Sequence, residues 1–104
     1  MTRFPFHDLH SFKDYAAFVR MCAPDQFPNR EGVPVNDQWT LELAFDGLKE
    51  GLSLAISEKG RRDDLVQCTD LIDEAYRHYE LGRRKEGFIA LNQVQKILRK
   101  IRTR

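Results

Sequence analysis

The sequence predicts an all-α protein: a small helical bundle of one short and three long helices, ending in a C-terminal antiparallel helical hairpin. Three observations carry this expectation. Between residues 63 and 104 apolar or small residues recur at helical spacing in two arms joined at Leu81-Gly82-Arg83. They stand at Leu65, Cys68, Ile72, Ala75 or Tyr76 and Tyr79, and then at Phe88, Leu91, Val94, Leu98 and Ile101. Leu41, Phe45, Leu48, Leu52 and Ala55 repeat the pattern upstream, in steps of four and three. No stretch shows the alternation of a half-buried strand, and no internal repeat competes with the helical periodicity.

A length of 104 residues, with 41% hydrophobic and 32% charged residues, suits one domain over 1–104 with an adequate core. That apolar content is too high for a disordered chain. The opening MTRFPFHDLH lacks the apolar run of a leader peptide. No stretch reaches the roughly 20 apolar residues of a membrane span, so no membrane contact is expected and the cytoplasm is the expected compartment. The two cysteines, Cys22 and Cys68, lie far apart on apolar helical stripes and read as buried thiols rather than a disulfide.

Taken in order, residues 1–10 form an N-terminal arm carrying Phe4, Phe6 and Leu9, with Pro5 disfavouring helix before it. Ser11, followed three residues later by Asp14, resembles a capping box and predicts a short helix over residues 12–22. Residues 23–36 hold three of the four prolines and Gly32, so they form a Pro-containing loop. Phe27, Val33 and Val35 are expected to anchor that loop to the core, in preference to touching a partner. Asn36-Asp37 offers a cap for a helix from Gln38 to Lys59, which Gly60 ends. Trp39 then falls in the first turn, as an edge-of-core anchor more than an exposed binding residue. Beside the apolar stripe runs a second one of small residues: Ala44, Gly47, Gly51 and Ala55. Glycine inside a helix costs about 1 kcal/mol relative to alanine, so close approach of another helix is the expected compensation.

The stretch from Ile72 to Leu98 resembles a single helical hairpin of the tetratricopeptide type, with Ala75 and Tyr76 before Gly82 and with Phe88 and Ala90 after it. The order is followed loosely, Gly87 stands where that family favours alanine, and no second repeat is present. The resemblance implies peptide or protein binding.

Chemical signatures are sparse. His7-Asp8-Leu9-His10 places two imidazoles beside a carboxylate, and Asp70, Glu74 and His78 share one helix face. A metal site needs three or four ligands with outer support, so both groups read as exposed side chains with local pairing. Nucleophile motifs, phosphate-binding Gly-rich loops and paired-cysteine zinc spacings are missing. No catalytic residue, metal site or cofactor is therefore assigned, and a metal or acid–base enzyme using His7, His10 or His78 ranks last among the functional readings.

Charge gives the sharper pattern. A formal net charge of +1 conceals eight Lys or Arg and one Glu over 83–104, a local +7, against −6 over 1–82. In an antiparallel hairpin Arg99, Lys100, Arg102 and Arg104 come near Lys59, Arg61 and Arg62, forming one basic end. Arg83, Arg84 and Lys85 crowd a helix N-terminus, where the dipole disfavours cations and either Glu80 and Glu86 or an anionic partner must answer them. The preferred reading is that the acidic first arm or solvent neutralises these charges. The expected function is a non-enzymatic protein-binding module, an adaptor, regulator or inhibitor-like partner, with Phe27, Trp39, Arg83, Arg84 and Lys85 as contact candidates. The alternative is nucleic-acid binding through the basic residues from Lys59 to Arg104, although no aromatic follows Phe88 to stack on bases. A homodimer remains the other use of the small and heptad-like stripes.

Overall fold

In the computed structural model, which describes residues 4–23, 25–29, 31–35 and 38–101, the chain forms four α-helices. They are α1 (Leu9–Cys22), α2 (Leu41–Lys59), α3 (Asp63–Glu80) and α4 (Arg84–Lys100). Among the described residues none is long and apolar enough to cross a membrane.

The first helix begins three residues before the sequence pattern places it. Asp8, not Ser11, is its N-cap: the Asp8 carboxylate accepts the Ser11 backbone N–H at 2.8 Å, and Ser11 Oγ accepts the Asp8 N–H at 3.2 Å. Ser11 thus fills the position of the usual Glu in a capping box whose polarity is reversed from the expected Ser11/Asp14 pair. Leu9 and His10 consequently leave the arm and join α1. The two hydrogen bonds from Ser11 hold the Asp8 carboxyl below its ordinary range.

The start of α2 shifts the other way. Thr40 caps it, its Oγ1 accepting the Leu43 N–H at 3.0 Å. Gln38 turns back to the loop instead, its side-chain amide donating to the Val33 carbonyl at 2.9 Å. The expected cap at Asn36-Asp37 lies outside the described residues. Trp39 therefore precedes the helix instead of occupying its first turn.

Each helix touches its neighbours in sequence, and α1 also touches α4, so the four close into a ring. Side-chain contacts fix the directions. Tyr15 in α1 donates its hydroxyl to the Ala44 carbonyl of α2 at 2.8 Å, whereas Glu58 at the end of α2 accepts the Leu9 N–H at the start of α1, at 2.6 Å. Phe45 meets Tyr76 at 5.2 Å between ring centroids, and Lys49 lies 3.7 Å from Asp73. Lys13 of α1 donates to the Ile101 carbonyl just past α4, at 2.6 Å. Every contacting pair therefore runs antiparallel. One end of the bundle gathers the starts of α1 and α3 with the ends of α2 and α4; the other gathers the loop before α2 and the α3–α4 turn.

The small stripe of α2 is used inside the chain. A methyl group on Gly51 would fall within the Phe12 ring, and one on Gly47 would collide with the Tyr15 phenol and come 2.9 Å from Phe4. Phe12 is fully buried, and removing such a ring from water stabilises the fold by about 1.5–3 kcal/mol, which offsets the propensity cost of the glycine. Phe4 and Phe6 complete the same layer, Phe6 lying 5.2 Å from Phe12 and 5.1 Å from Tyr15.

On α3 the buried residues are Leu65, Cys68, Leu71, Ile72, Ala75 and Tyr79. On α4 they are Gly87, Ala90, Leu91, Val94, Gln95 and Leu98. Phe88, assigned by spacing to the core stripe, is 43% exposed. The physical reason lies one residue earlier: Gly87 faces α3, and the Tyr79 ring packs where its side chain would be, within 3 Å of an added methyl. That contact sets the rotation of α4 and turns Phe88 to the outside.

Both cysteines are free, Cys68 buried and Cys22 half-buried. Burial, reinforced by the Asp64 charge, pushes the Cys68 thiol up to about 12 from an ordinary 9.0; burial also raises Cys22.

Two predictions follow from this packing. Propensity alone would make Gly51→Ala stabilising by about 1 kcal/mol; the Phe12 contact reverses the sign, and urea denaturation should show a loss of about 1–3 kcal/mol, typical of overpacking. A gain in stability would refute the close approach of α1. For the thiols, a folded pKa raised above the unfolded value means that the contribution of Cys68 is complete below pH 9.0 and lost as pH rises towards about 12. Native alkylation at neutral pH should therefore label Cys22 well before Cys68, whose modification should await unfolding; equal rates by mass spectrometry would contradict the burial.

Candidate functional site

The end of the bundle that carries the loop is built around the α3–α4 turn. Gly82 adopts φ 76°, which glycine alone takes without strain, and the chain closes α3 with two backbone bonds. The Arg83 N–H donates to the His78 carbonyl at 2.7 Å and the Gly82 N–H to the Tyr79 carbonyl at 3.1 Å, a Schellman closure. This turn projects Leu81 outward, 59% exposed, and makes Arg83 the N-cap of α4. Arg83 supplies no side-chain cap.

The first two turns of α4 then present an unusual outer face. Lys85 stands three and four residues before Phe88 and Ile89, and Arg84 four residues before Phe88, so cations and apolar groups share one side of the helix. Ile89 is 47% exposed; Met21, in the last turn of α1, is 72% exposed. The Arg20 guanidinium lies over the Phe88 ring, 5.4 Å from its centroid, and links α1 to this face. Arg20 Nε is buried without a hydrogen-bond partner among the described residues.

The three adjacent cations are answered unequally. Arg84 pairs with Asp25 of the loop at 2.7 Å, both side chains being exposed. Glu80 and Glu86 form no ion pair with a described residue, although Glu86 stands in the first turn of α4. Arg83 and Lys85 form no ion pair with a described carboxylate. Burial raises the Tyr79 hydroxyl, while the nearby Arg84 charge opposes the shift.

Behind this face, Trp39 and Phe27 sit half-buried in an aromatic cluster. Trp39 lies 5.4 Å from Phe18, 5.9 Å from Tyr15, 6.4 Å from Phe4 and 6.3 Å from Phe27 between ring centroids. Phe27 also meets Phe18 at 5.9 Å. These rings hold the loop against α1, whereas Val35, a proposed anchor, is 88% exposed.

Lys59, Arg61, Arg62, Arg99 and Lys100 gather at the opposite end. Arg62 pairs with Asp64 at 3.1 Å; the others form no ion pair with a described carboxylate. Arg99 and Lys100 occupy the last turn of α4, where the helix dipole favours cations. Arg102 and Arg104 lie outside the described residues. No ion pair joins α3 to α4 among the described residues, so the acidic helix does not neutralise the basic one by direct pairing.

His7 and His10 flank the start of α1, and His78 lies apart from them on α3. His7 Nε2 is 3.5 Å from Asp8 Oδ2, but that carboxylate is engaged as the α1 cap. His78 lines a shallow groove of about 210 Å³ with Glu74, Glu86, Leu71, Ile89, Ala90 and Gln93. No group of three or more metal-ligating side chains occurs among the described residues.

Compared with known protein families, curated proteins and solved structures, the chain matches none. The resemblance of Ile72 to Leu98 to a tetratricopeptide hairpin thus finds no counterpart in those comparisons.

The residues that the sequence reading did not single out are Arg20, Met21, Leu81 and Ile89, together with Phe88 in its exposed role. One signal was available: adjacent Phe88 and Ile89 cannot both lie on a single narrow helical stripe.

The two kinds of aromatic position should separate in a stability measurement. Complete Trp-to-Ala truncation in a core costs about 3–5 kcal/mol; for half-buried Trp39→Ala a loss of about 2 kcal/mol is expected, whereas Phe88→Ser, which gives up the Arg20 contact, should lose no more than about 1 kcal/mol. Chemical denaturation of both variants decides the assignment, and a larger loss at Phe88 would overturn it.

Proposed function

We propose that this protein is a non-enzymatic protein-binding module, an adaptor or regulator, whose contact surface is the end of the bundle formed by the loop, the α3–α4 turn and the first turns of α4. One observation carries the reading. The five large apolar side chains left exposed among the described residues, Met21, Val35, Leu81, Phe88 and Ile89, all belong to the half of the bundle at this end. Single exposed apolar residues are ordinary on a protein surface, but their confinement to one region is what a contact surface requires. The partly buried Phe27 and Trp39 support the loop that borders this surface, so it rests on a packed layer.

The second reading, nucleic-acid binding, draws on Lys59, Arg61, Arg99 and Lys100 at the other end, which form no ion pair with a described carboxylate. Phosphate contacts of that kind give salt-sensitive, sequence-independent affinity. The carboxylates of Asp63 and Asp64 share that end, and cations at helix C-termini already have a local electrostatic role, so the protein-binding reading stands first.

Quantitative affinity capture from the native host with the intact chain distinguishes the two ends. Leu81→Asp and Phe88→Asp should each remove the same specific partner while leaving the circular dichroism unchanged and lowering the thermal midpoint by no more than about 8 °C. Lys100→Glu, at the far end, should retain it. A partner lost through Lys100→Glu but kept by Phe88→Asp would place binding at the wrong end and refute the proposal.

A further inference from the structure

The surface just described also carries information about its occupant. We infer that it takes an acidic, apolar segment of a partner protein, laid across the α3–α4 turn so that carboxylates meet the start of α4 and apolar side chains cover Leu81, Phe88 and Ile89. This deepens, and rests on, the protein-binding reading.

Charge is the first ground. Arg83, Arg84 and Lys85 stand at the N-terminal end of α4, where the helix dipole is positive and repels cations, and the Arg20 guanidinium lies over the Phe88 ring one turn further on. The cap residue, Arg83, offers no side-chain acceptor to the first-turn N–H groups. Against these four cations the described residues set one paired carboxylate, Asp25 on Arg84 at 2.7 Å, and the first-turn Glu86 of α4. Glu86 lines the groove towards α3, and Glu80 precedes the turn; neither forms an ion pair with a described residue. A carboxylate brought here by a partner would relieve both the cation crowding and the missing cap. Asp25 already shows, from within the chain, that the site accepts one.

Apolar exposure is the second ground, and it selects the class of partner. Leu81, Met21 and Ile89 are aliphatic or thioether side chains that a sugar–phosphate backbone cannot cover, and Phe88 is the one exposed aromatic on this face. A nucleic acid would satisfy the cations and could stack a base on Phe88, but its backbone would leave the aliphatic Leu81 and Ile89 in water. A second copy fits poorly as well. The acidic stretches of the chain, such as Asp70, Asp73 and Glu74 on α3, carry none of the large exposed apolar residues, while pairing like faces would bring cation against cation. The complement is therefore a foreign segment containing both Asp or Glu and large apolar residues.

The experiment is fluorescence anisotropy on the intact chain with short labelled probes: a Glu/Leu peptide, a Lys/Leu peptide, a Glu/Ser peptide and a single-stranded oligonucleotide. The Glu/Leu peptide should bind tightest and weaken with added salt. Arg83→Glu with Lys85→Glu should reduce its affinity about tenfold, a change of about 1.4 kcal/mol, and Phe88→Ser should also weaken it. Asp25→Asn, which removes the internal competitor, should strengthen it. Replacing Arg83 and Lys85 with Glu places acids at a helix start, so the fold should be no less stable and lost binding cannot be ascribed to unfolding. Equal binding of the Lys/Leu peptide, equal binding of the Glu/Ser peptide, tighter binding of the oligonucleotide or an unaffected charge-reversed variant would each overturn the inference. If the native partner is lost with Phe88→Asp but kept with the charge-reversed pair, protein binding at this end stands and the acidic class of partner falls. If both variants keep that partner, the protein-binding reading falls with it.

Discussion

The bundle depends on how closely α1 can approach α2. Phe12 and Tyr15 reach the α2 backbone only because Gly51 and Gly47 present no side chain there. That proximity lets the Tyr15 hydroxyl reach the Ala44 carbonyl and creates the layer into which Phe4 and Phe6 pack. A ring needs each helix to contact two others, and α1 is the member that closes it by touching both α2 and α4. A bulkier stripe on α2 would push α1 outward, and the aromatic layer would lose its floor. Two helix-disfavouring residues are thus the local condition for the global arrangement.

From this contact the two ends diverge in chemistry. At the end where α1 begins, the links are polar: Glu58 accepts from the Leu9 N–H and Lys13 donates to the Ile101 carbonyl. Each ties a charged side chain to a backbone group at a helix terminus, where the dipole favours that sign of charge. At the other end aromatic contacts hold the loop, and the turn after α3 is closed by its own backbone. Helix termini there depend less on charged caps, and the start of α4 is left with cations of the disfavoured sign. This asymmetry makes the loop end the place where an external partner has most to offer.

The charge layout has a simple structural origin. Helices α3 and α4 bury Leu65, Ile72, Tyr79, Leu91, Val94 and Leu98, and their charged residues stay at the surface around that seam, Glu74 and Glu86 lining one shallow groove and no ion pair crossing it among the described residues. Exposed side chains separated in this way gain little from each other in water. The opposite formal charges of the two helices therefore remain available to solvent or to a partner, although the helices themselves are packed together.

The sequence determined the helical class, the C-terminal hairpin and most core positions, because burial on one side of a helix imposes a period that survives in the residue order. It also determined that the small stripe of α2 needed a close neighbour, since an uncompensated glycine pair is costly in a helix. Boundaries were less legible: Asp8 and Ser11 both have the chemistry of caps, and only the folded geometry chose between them. Tertiary structure alone decided that Phe12 and Tyr15 were the groups filling the glycine stripe, that Tyr79 over Gly87 rotates α4 and exposes Phe88, and that Asp25, 59 residues away, answers Arg84. These outcomes depend on which surfaces meet across the bundle, and local periodicity along one helix does not encode its rotation against a neighbour.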